Sequence, residues 1–333
     1  MATLGTKYLT LLDVAKMKDP DGSVPELVDL ISQECPLLGD GYARFTNAPL
    51  SHRSIVVTEE PTTYPREINA GVLPSKGRTA PITEGLCMLE GLAQTDVKIK
   101  ELEDDWEGVL LSAALMRMSS IVKAGEEIAL YGNTATNPAH VNGFMTRKNT
   151  LGDFVLSAGG TSGNQTSVLI IGWGRDKTQI LTPKNGTAGV RQKYLGEILV
   201  DDPQGVAGAK MLAHVDQISL DFGTSMPDHR YQVRIGNIDV AALKAMSGTQ
   251  LATASTFLYD LVVDAIERIP NLSACNPIVY CNRWVKSRLR VQERIRAAGN
   301  LGLKDAAGRP VMDIIGVPVH VADRISLAES VLS

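Results

Sequence analysis

The chain has 333 residues, 44% of them hydrophobic and 21% charged, with a formal net charge of -4. That hydrophobic fraction excludes a disordered protein and allows a substantial core, in one elongated domain or two lobes. The acidic balance argues against a dedicated nucleic-acid binder, which usually carries a clear basic excess, so any DNA contact would be local.

The amino terminus has no basic region followed by an apolar run, so no signal peptide is expected and the origin reads as cytoplasmic. No run is read as approaching the ~20 apolar residues of a membrane span. Thr10 to Lys16 and Pro25 to Glu34 are predicted as short amphipathic helices joined by the turn Asp19 to Ser23.

From Ser51 to Leu89 the chain is polar, extended and punctuated by Pro61, Pro65, Pro74 and Pro81. Ile55 to Thr58 favours a strand, and the prolines suit edge strands and turns. Two arms of about 12 to 15 residues, at roughly 3.3 Å each, would project on the order of 40 to 50 Å. A ribbon that long is marginal alone and needs a surface to lie on.

A long amphipathic helix is predicted from about Glu101 to Leu130. It is capped by Asp96 or Thr95, and Leu102, Trp106, Val109 or Leu110, Ala113, Met116, Ile121, Ala124 and Ile128 recur at helical spacing. It would span roughly 40 to 45 Å. Gly125 interrupts it, and Gly132-Asn133 should end it because both residues tolerate the left-handed conformation.

Beyond it, Asn137 to Asn149 is rich in turn formers, and Ala158 to Thr166 is a flexible loop or a lobe boundary. Ser167 to Trp173 is a buried strand by its continuous apolar run. A polar segment with turns at Pro183 to Gly186 and at Gly189 follows. Leu212 to Asp221 and Tyr231 to Ile235 read as half-buried strands around a turn near Gly223 to Pro227. Thr253 to Ile269 is a helix, Pro277 to Cys281 a strand, and Arg283 to Ala298 a basic helix. Val311 to Ile315 and Val317 to Val321 form a last pair of strands around Gly316. This order is α+β, without the alternation of a doubly wound sheet.

Enzyme signatures are missing. Gly186 to Lys193 lacks the Gly-Lys-Ser/Thr ending of a P-loop, Gly172-Trp173-Gly174 reads as a tight turn, and no nucleophile elbow or His-Glu-x-x-His pattern occurs. His52, His140, His214, His229 and His320 read as satisfied surface or core histidines. Cys35, Cys87, Cys275 and Cys281 lack paired metal spacing and read as buried thiols. Asp104-Asp105 and Glu126-Glu127 read as solvated faces, since helix neighbours point in different directions. The basic helix reads first as a solvated face, then as a subunit contact, and last as a DNA contact. No catalytic group, cofactor or metal is expected.

Several stretches together resemble the major capsid proteins of tailed phages, the Hong Kong 97-type fold, and in particular the epsilon-15-like capsid family of short-tailed phages. They are Met1 to Leu11, Gly71 to Lys76, Gly85 to Glu90, Tyr131 to Asn133, Trp173-Gly174, Pro183-Lys184 with Gly189, Leu195-Gly196, and Gly308 to Val311 with Gly316 to Val319. The resemblance implies an amino-terminal arm over 1–43, an extended loop hairpin over 44–92 and a peripheral domain with a long spine helix over 93–166. A mainly axial domain over 167–298 and returning carboxy-terminal strands over 299–333 would complete the subunit.

It further implies self-assembly into hexamers and pentamers of an icosahedral virion shell around double-stranded DNA, touched non-specifically, without a membrane, and built in the host bacterial cytoplasm. Portal, scaffold and a decoration or cement protein would be the other partners, and no protease-removed extension is expected. An encapsulin-like compartment for enzyme cargo is the alternative. The mixed charges of the hairpin, Arg53, Glu59, Glu60, Arg66, Glu67, Lys76, Arg78 and Glu84, are the candidate contacts that set docking register between subunits.

Overall fold

The computed structural model describes residues 35–102, 106–161, 163–201, 208–245, 258–296, 304–306 and 309–333. The two helices expected before Cys35 lie outside these residues, as do Asp104, Asp105 and the start of the helix expected from Thr253. The chain divides into two compact units. Among the described residues, one holds Met88–Gly125 and Thr187–Asp221, and the other Glu34–Cys87, Glu126–Gly186 and Phe222–Ser333, less Glu34 and the remaining undescribed positions.

The larger unit is built on a six-stranded sheet. Its strands lie in the order Asp313–Ile314, Val317–Val321, Asn276–Cys281, Gln165–Trp173, Gln232–Asp239, Val155–Ser157. Gln165–Trp173 is central and antiparallel to both neighbours, with Ile170 opposite Val233 on one side and Val279 on the other. It is buried along its whole length, as a continuous apolar run on a sheet covered on both faces requires. Gln232 to Ile238 is also wholly buried, which corrects the half-buried reading of Tyr231 to Ile235.

Side-chain alternation assigns the two faces. Val168, Ile170, Val233 and Ile235 pack with Val262, Ala265 and Ile266 of helix Leu258–Glu267 and with Val285 and Leu289 of helix Arg283–Arg296. Trp173, on the other face, meets Phe144 edge-on at 5.7 Å and donates its indole N–H to Tyr280 Oη at 2.8 Å. The sequence places Gly172-Trp173-Gly174 in a tight turn, but the turn is Gly174 to Lys177, with Asp176 left-handed at φ 62°.

The carboxy-terminal segment is clasped onto this sheet. Gln165 and Glu329 exchange backbone hydrogen bonds at 3.2 and 2.8 Å, and Asn237 bonds the backbone N–H and carbonyl of Leu332 at 2.7 and 3.0 Å. Arg234 and Glu329, both buried, pair at 2.8 Å, and Tyr131 and Ser167 also donate to that carboxylate.

The smaller unit contains a long antiparallel ribbon, Val190–Asp201 against the first part of Lys210–Ser225. The polar reading of this region missed Val190–Asp201. Apolar and polar residues are exposed alike along it, so no alternation marks it, and a bulge at Leu195 with Gly196 at φ 95° breaks its register. Lys210–Ser225 continues through the turn expected near Gly223. Gly223 is needed there because a side chain would come within 2.7 Å of the Gly85 carbonyl oxygen.

The long helix runs Trp106–Tyr131 without a break at Gly125, after a short helix Lys98–Leu102 whose Lys98 N–H is capped by Asp96 at 2.9 Å. It ends at Gly132 as expected but for another reason. Gly132 is not left-handed; a Cβ there would strike the Ile128 and Val141 carbonyl oxygens. By length and composition alone this helix could cross a membrane, which corrects the expectation that no run approaches such a span. It nevertheless carries Glu107, Arg117, Lys123, Glu126 and Glu127.

Candidate functional site

The hairpin consists of Ser51–Glu59 paired antiparallel with Arg78–Gly85, with residues 60–77 between them in no regular structure. Its strands are therefore shorter than the expected arms. At roughly 3.3 Å per residue the paired part is about 30 Å long, and the rest of the excursion is irregular chain.

The foot of the hairpin is fixed. His52 and Glu84 face each other across the strands and are both buried. Arg147, from the short helix Phe144–Arg147, grips the two Glu84 oxygens at 2.7 and 2.8 Å and donates from Nε to the Asn142 carbonyl at 2.9 Å. Bidentate geometry of this kind combines charge with fixed orientation. Burial, and then the nearby Arg44 charge, hold the His52 imidazole below its usual pKa. Asn47 bonds the backbone N–H and carbonyl of Arg53 at 2.9 and 2.7 Å and fixes the entry of the first strand.

Away from the foot the character changes. Every residue from Val57 to Lys76 is exposed, including Tyr64, Val72, Ile68 at 93% and Leu73 at 74%. Glu59 and Arg78 face each other at the end of the paired strands and form an exposed ion pair at 3.1 Å. The Ser75 hydroxyl donates to the Thr62 carbonyl at 2.7 Å, and Asn69 turns the tip at φ 69°.

The structure thus separates the eight charged residues singled out from the sequence. Glu59 and Arg78 are brought together, and Arg53, Glu60, Arg66, Glu67 and Lys76 are exposed along one excursion. Glu84 is committed to Arg147 within its own chain. Arg147 was not legible as its partner, because it lies 63 positions away in a segment read only as turns.

The other sequence candidates make contacts within the chain. The His140 Nε2 faces the Asn137 amide at 3.0 Å, His229 packs edge-on to Phe154, and His214 stacks on Trp106 at 5.5 Å with Tyr194 Oη 2.9 Å from its Nδ1. Among the described residues no group of His, Cys, Asp and Glu could hold a metal ion. The basic helix buries Val285, Leu289 and Gln292. Its cations reach inward as well as out: Arg283 pairs with Asp323 at 2.8 Å, Lys286 donates to the Val319 carbonyl at 2.8 Å and Arg288 to the Lys244 carbonyl at 3.1 Å.

Residues 19–333 match the family described as Major capsid protein GP7. No curated protein matches the chain. Among solved structures, it is similar to a chain from the near-atomic-resolution structure of bacteriophage Epsilon15, with 23% identity over 99% of both chains and a TM-score of 0.77. It also matches the capsid of bacteriophage JBD30, with 12% identity, 85% and 88% coverage and a TM-score of 0.45. A third match is the SrpI encapsulin of Synechococcus elongatus PCC 7942, with 9% identity, 70% and 96% coverage and a TM-score of 0.46.

Proposed function

Because the chain belongs to the Major capsid protein GP7 family, and so is a structural protein of a phage shell, we propose that its copies assemble into hexamers and pentamers of an icosahedral capsid around double-stranded DNA. The observation that carries this reading is the hairpin: its foot is locked into the subunit while Val57 to Lys76 is exposed, with Ile68 and Leu73 in water. Exposed apolar side chains on an arm of this kind mark a surface that another molecule covers. In a shell of identical subunits that molecule is a further copy.

In this reading the hairpin is the extended loop, and Arg53, Glu59, Glu60, Arg66, Glu67, Lys76 and Arg78 set its register against neighbours. Glu84 contributes indirectly, by fixing the foot. The long helix is the spine of the peripheral domain. The grouping of Thr187–Asp221 with Met88–Gly125 supports counting the ribbon with the spine, and the six-stranded sheet then forms the body of the axial domain. The work is assembly and not turnover. A scaffold, a portal and a decoration protein are its partners during assembly in the host bacterial cytoplasm, no membrane takes part, and DNA is touched without sequence preference.

Negative-stain imaging of the purified chain, co-expressed with its scaffold, tests the reading. Closed particles of virus size are expected, and a monomer or dimer under all assembly conditions overturns it. Nuclease-protected DNA inside particles purified from infected cells separates a virion shell from an enzyme compartment of the same fold.

A further inference from the structure

Glu126 is 0% exposed, on the long helix one residue past the point where the helix leaves the smaller unit. Neither carboxyl oxygen has a hydrogen-bond donor among oxygen and nitrogen atoms of the described residues, and the Cys35 thiol lies against it. A buried carboxylate whose single donor is a weak thiol costs several kcal/mol, whereas the neutral acid can be tolerated.

Its charged surroundings oppose one another: Arg324 favours the ionised form, and Asp323 and Asp40 disfavour it. From its own helix comes Glu127, from residues 35–40 come Cys35 and Asp40, and from the segment after the last strand come Asp323 and Arg324. The one cation among these, Arg324, is shared with Glu127 at 3.5 Å. Asp323 is held by Arg283 at 2.8 Å, and Asp40 by His320 at 2.5 Å and by the Tyr280 hydroxyl at 3.1 Å. Arg283 and Arg324 are therefore already engaged by other carboxylates, and neither is committed to an anion at Glu126.

We propose that Glu126 is a proton-held lock: neutral, it lets the last turns of the long helix pack against residues 35–40 and 322–325, and ionised it drives them apart. Burial, opposed by the Cys35 thiol and by Arg324, pushes its carboxyl up to about 8 from an ordinary value of 4.5. The packed form holds the proton more tightly than the opened form. Stability of this joint is thus complete below about pH 4.5, falls as pH rises to about 8, and is level above. The lock acts inside one subunit and stands whether or not shells form. It makes the joint sensitive to mild alkali.

The test is amide hydrogen exchange of residues 126–131 in the full chain from about pH 6 to about pH 9, corrected for the intrinsic pH dependence of exchange. The wild type should open about tenfold more per pH unit up to about pH 8 and then level off, while Glu126→Gln should show no such slope. Equal slopes in both overturn the proposal. Should Glu126→Gln fail to fold, infrared spectra of wild-type protein carrying isotope-labelled glutamate decide. A protonated glutamic acid band at about pH 7 that vanishes above about pH 8 supports the lock, and its absence at about pH 7 overturns it.

Discussion

Arg147 holds the foot of the hairpin by gripping both oxygens of Glu84, and both side chains are largely buried. Breaking a buried pair from one side strands a charge, which typically costs about 3–5 kcal/mol, more than the pair itself is worth. Arg147→Met should therefore destabilise the unassembled subunit by about that amount in denaturant titrations, and adding Glu84→Gln should recover much of it. A loss within about 0.5 kcal/mol for Arg147→Met would show that the foot is held some other way. The sequence did reveal that Glu84 belongs to the hairpin, but its role depends on a partner 63 positions away. Glu126 and Glu127 teach a related lesson. Neighbours on a helix do point in different directions, so Glu127 is exposed; yet Glu126 turns toward Cys35 and Arg324, which no local spacing could announce.

At the scale of elements, legibility followed burial. Ser167 to Trp173 was readable because Val168 to Ile171 form the continuous apolar run of a strand covered on both faces, and Arg283–Arg296 because it buries Val285, Leu289 and Gln292 on one stripe. Val190–Asp201 was not, because exposure of both apolar and polar residues leaves no period to detect. The irregular tip of the hairpin was readable as extended through its prolines. There, exposed Ile68 and Leu73 gain nothing within the chain. Changing both to serine should leave subunit stability within about 0.5 kcal/mol. If a neighbour buries them, each contributes about 1.5–3 kcal/mol per contact, and the protein concentration at which particles first appear should rise at least about tenfold by light scattering. An unchanged threshold would mean that the tip's apolar side chains do not carry assembly.

For the whole molecule, the decisive question is whether the hairpin serves the subunit or the shell. The two can be separated because the excursion returns to where it leaves: a Cβ on Gly77 would lie 3.1 Å from the Glu59 carbonyl oxygen and 3.2 Å from Pro61 Cδ. The Glu59–Arg78 ion pair spans the same point. Removing Thr62 to Lys76 therefore leaves ends that can be joined by a short turn, and it removes only exposed residues. The locked foot, the six-stranded sheet and the clasped carboxy-terminal segment keep all their contacts. The shortened chain should unfold at a denaturant midpoint close to that of the full chain, with a slightly smaller slope because less surface is exposed on unfolding. If a neighbouring copy covers the tip, as proposed, closed particles should disappear. Shells forming normally from the shortened chain would remove the hairpin tip from the assembly mechanism, and a collapsed midpoint would show instead that the tip supports its own subunit.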